Sequence, residues 1–262
     1  MIRSMYTAAT GMEAQQLYMD TISHNLSNVN TNGFKRSKVE FQDLMYQTLR
    51  EPGVRNVEGS MPPSGIEVGL GVRTAATQRI FQQGSLNQTG NNLDLAIQGE
   101  GFYQIALPDG STAYTRDGQF KLSRDGMLIT SNGFQVYPQI VIPEGAEDIT
   151  VSADGLVSTR IAGEDTSIEI GQFELARFVN PSGLKALGQN LFVISDASGE
   201  GIVSLPTEEG TGSITQGYVE ASNVQIVDEM VNMIGAQRAY EIVSKSITVS
   251  DEMMQTASNL RR

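Results

Sequence analysis

At both ends of the chain apolar residues recur every third or fourth position, and between them they fall at near-alternate positions broken by glycine turns. At the N-terminus Ile2, Met5, Ala9, Met12, Met19 and Leu26 lie on one stripe interrupted only by Gln16 and Ser23, the spacing of one face of an α-helix. A helix of roughly 27 residues, about 40 Å long, is expected. Its last turn should fray at Thr21-Ile22-Ser23, a weak helix-forming spot. At the C-terminus Met233, Ala236, Tyr240, Val243, Ile247, Met254 and Ala257 form one stripe, with Ile242, Val249, Met253 and Leu260 on an adjacent one. Ser222 or Asn223 is the expected N-cap, and the run predicts a helix of roughly 38 residues, about 57 Å long.

Glycine and proline separate these ends from the middle: all eight prolines lie between Pro52 and Pro206, and 25 of the 27 glycines between Gly33 and Gly217. Residues 94–220 alternate apolar and polar positions around Asp109-Gly110, Asp117-Gly118, Asp125-Gly126, Asn132-Gly133 and Asp154-Gly155. Each dipeptide is expected to supply the positive φ of a tight hairpin. Residues 45–93 fit neither pattern. Pro52, Pro62 and Pro63 favour extended backbone, yet Tyr46, Leu49, Ile66, Val68, Leu70 and Val72 are too apolar for a free linker, so this connector should pack against something.

Just after the first helix, Asn25, Asn28, Asn30 and Asn32 crowd four amides into eight positions before Gly33 and Phe34. Asparagine side chains bond to nearby backbone and tolerate left-handed conformations, so the run reads as a helix stop and elbow rather than a polar binding site. The expected fold class is mainly β with α. A central antiparallel β domain (94–220) and an extended connector (33–93) stand beside long terminal helices (1–32 and 221–262) packing as an α-helical coiled-coil domain.

Composition narrows the function. A formal charge of −12 and a pI near 4.5 argue against nucleic acid and anionic membrane surfaces, which need a basic footprint. The acidity sits in residues 141–220, whose 13 acidic and 3 basic side chains leave a net of −10, so close-packed ends need not repel. The chain has no cysteine and one histidine, His24, which removes thiol and zinc-finger chemistry and leaves no second histidine to complete a metal site. Gly69-x-Gly71 and Gly99-x-Gly101 do not complete a phosphate-binding loop. No apolar run is long enough to span a membrane, and Glu13, Gln15 and Gln16 interrupt any signal-peptide core. No catalytic residue, cofactor or metal is expected. Two long helices with apolar stripes on adjacent faces offer more surface than one β domain covers, so they ask for neighbours, and repeated contacts that do not close build a helical tube.

The residues that carry this pattern resemble a known family. The segment S-x-N-L-x-N-x-N-T-x-G-F-K from Ser23 to Lys35, the stretch QGYVEASNVQIVDEMVNMIGAQRAYEIVSKSITVSDEMMQTASNL, and LDLAIQGEGFYQI followed by YTRDGQFKLSRDGMLITSNGFQVYP are similar to the flagellar rod and hook family of axial proteins. The resemblance implies a structural subunit of the distal part of the rod. Both terminal helices would line an inner tube around the export channel, and the β domain would face outward. It also implies the partners: further copies of the chain, hook protein, proximal rod proteins, outer ring bushing proteins, a rod-cap protein and the type III export apparatus. The alternatives are a proximal rod or hook component, a secreted cell-wall glycan hydrolase, or a surface adhesin with coiled-coil ends.

Overall fold

In a computed structural model, residues 2–51, 64–161 and 167–260 of the 262-residue chain are described. Helix α1 spans Ile2–Ser27 and helix α2 spans Ile226–Asn259, and the residues between them are mainly β. The first helix does not fray: Thr21 and Ile22 are buried, and the Thr21 hydroxyl donates to the Leu17 carbonyl at 2.9 Å. Tertiary burial outweighs the weak propensity that predicted otherwise.

The second helix corrects another expectation. Its N-cap is Gln225, with no side-chain cap, rather than Ser222 or Asn223. Asn223 is occupied elsewhere, and Asp228 and Glu229 in the first turn place negative charge beside the exposed N–H groups, where the helix dipole favours it. At 34 residues the helix is about 51 Å long.

The chain divides into two compact units. The first contains residues 1–26, 37–78 and 225–262. In it strand Ser37–Asp43 pairs with Val72–Arg79, and Tyr46–Arg50 pairs antiparallel with Ile66–Gly69. Helix α1 buries Ala14, Thr21, Ile22 and Asn25, and Tyr18 meets Phe41 edge-on at 6.2 Å. Gly71, at φ +122, lies where a Cβ would come within 2.3 Å of the Thr10 hydroxyl, so close approach of the connector to α1 accounts for this glycine.

The second unit contains residues 27–36 and 79–224. Its largest sheet runs in the order Lys185–Gly188, Leu191–Val193, Thr112–Thr115, Phe102–Ala106, Gln135–Tyr137, Leu128–Thr130 and Phe120–Leu122. Leu175–Arg177 joins Phe102–Ala106 and carries Ile202–Ser204. Every pair in it is antiparallel. A meander of Ala146–Val151, Leu156–Ile161 and Ser167–Gln172 and two short ribbons complete the unit.

Four of the five turn dipeptides behave as read. Gly110, Gly126, Gly133 and Gly155 have φ between +75 and +86, each closing a three-residue loop such as Gly110 N–H to the Leu107 carbonyl at 3.0 Å. Gly118 does not have a positive φ. A Cβ there would fall on the Leu95 carbonyl oxygen, so close packing of backbone, not turn geometry, requires that glycine.

Tyr103, Phe120 and Phe173 are buried at the centre of the main core, with Tyr103 edge-on to Phe120 at 5.1 Å. The Tyr103 hydroxyl donates to the Leu95 carbonyl at 3.1 Å, which satisfies a polar group that would otherwise cost free energy when buried. A second cluster gathers Phe102, Tyr114, Phe178 and Phe192 with Phe81.

Candidate functional site

Three charged side chains from distant parts of the sequence meet inside the second unit. Lys35, Arg116 and Glu220 are all at or below 4% exposure. Lys35 donates through Nζ to Glu220 Oε1 and, at 2.9 Å, to the Gln82 carbonyl. The same carboxylate oxygen accepts from Gly84 N–H at 2.9 Å, and the Glu220 carbonyl accepts from Gly33 N–H at 2.8 Å. Arg116 Nε stands 3.7 Å from Glu220 Oε2, while Arg116 Nη2 donates to the Gly99 carbonyl at 2.6 Å. Burial pushes the Lys35 ammonium below its ordinary value, against the pull of Glu220, and lowers Arg116 likewise.

Such a cluster is weak evidence of added stability, since desolvating the ions offsets their attraction, but it is strongly position-specific. Removing one partner leaves a buried charge uncompensated, at about 3–5 kcal/mol. It joins the segment after α1, the link between strands Val72–Arg79 and Leu86–Gln88, the end of Thr112–Thr115 and the strand Tyr218–Glu220.

Asparagines complete the clasp. The Asn223 side chain accepts from Arg36 N–H at 2.8 Å and donates to the Ile80 and Gln82 carbonyls at 2.8 and 3.0 Å. Asn190 donates to the Asn32 carbonyl at 2.9 Å. In the first unit, Asn25 mimics a strand partner: its amide donates to the Ser37 carbonyl and accepts from Ser37 N–H, both at 2.9 Å.

Of the predicted elbow residues, Asn28 accepts from the Thr31 hydroxyl at 3.2 Å, Asn30 is exposed, and Phe34 is buried. None of the four asparagines has a left-handed φ; that conformation falls on Gly33, at +69. A Cβ on Gly33 would also lie 2.7 Å from Asp117 N and 2.9 Å from Arg116 C. The amides therefore work through hydrogen bonds, and the glycine supplies the turn.

The predicted helix stripes have different fates. On α1, Met5, Met12, Met19 and Leu26 are only half-buried and Ala9 is exposed, because the buried face is turned away from them. On α2, Ala236 is buried, Met233, Val243, Ile247 and Met254 are half-buried, and Tyr240 and Ala257 are exposed. A second face of α2 carries exposed Val227, Val231, Ile234 and, from the adjacent stripe, Ile242 and Val249. Between the helices and strand Ile66–Gly69 lies a groove of about 1060 Å³ lined by Ser4, Thr7, Ala8, Gly11, Val68, Val243 and Ser246, among others. A Cβ on Gly11 would sit 3.7 Å from Val243.

Among the connector residues, Tyr46, Leu49 and Ile66 are exposed, and Val68, Leu70 and Val72 are half-buried. Asp43 beside the Tyr46 hydroxyl pushes its pKa up. Pro52 lies outside the described residues. His24 is exposed on α1, and no described helix is long and apolar enough to cross a membrane.

Spacing rules missed Lys35 and Glu220, which are 185 positions apart. Local periodicity cannot pair such residues. The signal available was an acid among small and apolar neighbours in QGYVEASN and a lysine closing the asparagine run.

Three family models match the chain: flagella basal body rod protein over residues 5–35, flagellar hook protein FlgE/F/G D1 domain over 96–159, and flagellar basal body rod FlgEFG protein C-terminal over 215–260. Lys35, Arg116 and Glu220 fall one in each. The chain is 51% identical over 264 residues to flagellar basal-body rod protein FlgG of Borreliella burgdorferi, with 100% of both chains covered. To the protein of that name in Caulobacter vibrioides it is 46% identical over 261 residues, covering 99% of this chain and 100% of the other. To that of Bacillus subtilis it is 38% identical over 267 residues, again with all of both chains covered.

Proposed function

The chain belongs to the flagellar basal-body rod family, and from that membership we propose that it is the distal-rod subunit of the drive shaft, assembling helically around the export channel and transmitting motor torque to the hook. It acts by packing rather than by catalysis. Its partners are other copies of itself, proximal rod proteins on one side and hook protein on the other, with bushing proteins, a rod-cap protein and the type III export apparatus met during assembly.

The observation that supports this most is the pair of long helices, each with apolar surface that its own chain leaves uncovered. Met5, Met12 and Met19 on α1 and Val227, Val231, Ile234, Ile242 and Val249 on α2 form ridges with the spacing of helix-to-helix packing. Neighbouring copies in a tube would cover them, giving the coiled-coil inner layer read from the heptads. The exposed hairpin of Tyr46–Arg50 and Ile66–Gly69 would brace neighbours and keep the shaft straight, since torque spreads over many packed contacts.

Immunogold labelling of purified hook-basal bodies tests the assignment. Label confined to the rod segment next to the hook is expected. Label along the hook, or only at the base of the rod, would overturn it.

A further inference from the structure

A cavity of about 270 Å³ opens in the second unit between Phe81, Phe102, Phe178 and Arg116, with Glu100 and Arg177 at its edge. Its chemistry is lopsided. Arg116 is 4% exposed, yet Nε and Nη1 have no hydrogen-bond partner; only Nη2 is used, on the Gly99 carbonyl. The guanidinium stands over the Phe102 ring at 5.6 Å. The nearest anion, Glu220, spends Oε1 on Lys35 and Gly84 and leaves Oε2 3.7 Å from Nε, beyond hydrogen-bonding distance. The carboxylate that does line the cavity, Glu100, accepts from Arg177 Nε at 2.8 Å.

A buried guanidinium with two free donors is costly. A planar fork of N–H groups among aromatic rings matches a carboxylate carried on an apolar stem.

We propose that this cavity is a carboxylate receptor, filled in the assembled shaft by an acidic side chain of a neighbouring copy. The inference rests on the many-copy reading above. The volume fits one or two side chains rather than a large ligand, and the surplus of ten negative charges in residues 141–220 gives every neighbour carboxylates to present to a buried cation.

Calorimetric titration of the full-length, unassembled protein with 3-phenylpropionate should give saturable one-to-one binding. The neutral 3-phenylpropanamide should bind at least about tenfold more weakly, the factor expected when a charge-assisted hydrogen bond is lost. Ile202→Trp, which fills the mouth of the cavity without touching the buried charges, should abolish binding at an unchanged melting temperature. No saturable binding, equal binding of acid and amide, or full binding by the Ile202→Trp protein would overturn the receptor. Assembled protein should take up no probe, and uptake equal to that of the monomer would overturn the neighbour as the source of the carboxylate. A protein that never assembles would contradict the function proposed above, while the monomer titration still decides the chemistry of the cavity.

Discussion

Gly33→Ala probes the clasp at its tightest point. Two costs add. A φ of +69 disfavours an L-residue by about 1–2 kcal/mol. The new methyl would stand 2.7 Å from Asp117 N and 2.9 Å from Arg116 C, both backbone atoms of the segment that follows strand Thr112–Thr115, so overpacking adds about 1–3 kcal/mol. Gly110 is the control: its φ is +83, but nothing lies within 4 Å of an added Cβ, so Gly110→Ala should cost about 1–2 kcal/mol, the backbone term alone. The difference between the two variants isolates the close approach. Urea unfolding followed by tyrosine fluorescence measures it, since the chain has no tryptophan, and the melting temperature of Gly33→Ala should fall by several degrees more than that of Gly110→Ala. Equal losses in the two variants would refute the claim that Gly33 is pinned by the Arg116–Asp117 backbone.

In the buried triad, Glu220→Leu leaves two cations without their anion and should cost more than Lys35→Met, which leaves Glu220 its Gly84 hydrogen bond. The first belongs at about 3–5 kcal/mol, and the reverse order in chemical denaturation would contradict the pairing. Because burial holds the Lys35 ammonium below its ordinary 10.5, the unfolded chain keeps that proton to higher pH. The Lys35 contribution to stability therefore rises as pH climbs from the lowered folded value to 10.5, a slope that Lys35→Met should remove and that unchanged pH profiles would deny. Val231→Glu, on the exposed face of α2, should leave monomer stability within about 0.5 kcal/mol. It should nevertheless raise the concentration needed for assembly by about tenfold or more, because each neighbour contact loses about 1.5–3 kcal/mol of apolar burial; assembly at the unaltered concentration would count against that face. Deleting residues 46–66 should leave the melting of the β unit unchanged but give shafts that bend, and straight shafts in electron micrographs would exclude a bracing role for the hairpin.

Much of the architecture was readable because it is local. The 3-4 stripes located both helices, and aspartate-glycine and asparagine-glycine pairs located four hairpins. What stayed hidden depends on partners far away in sequence. Thr21 and Ile22 hold the end of α1 because other residues bury them, Asn223 is drawn from capping α2 by backbone groups near residues 36 and 80, and Gly118 is fixed by the Leu95 carbonyl. In the asparagine run the working parts were not legible. Asn25 pairs with Ser37 backbone, Gly33 supplies the left-handed turn, and Lys35, reaching Glu220 across 185 positions, carries the charge.

In the proposed shaft the uncovered faces of α1 and α2 are buried by other copies of the same chain in an open helical tube. Cryo-electron microscopy of the shaft in purified hook-basal bodies measures this most directly. The expected density is a hollow tube whose inner wall is both terminal helices, with Met12 and Val231 buried between subunits and the acidic β unit outside. A density in which the β unit lines the channel, or in which those helix faces meet solvent, would contradict it.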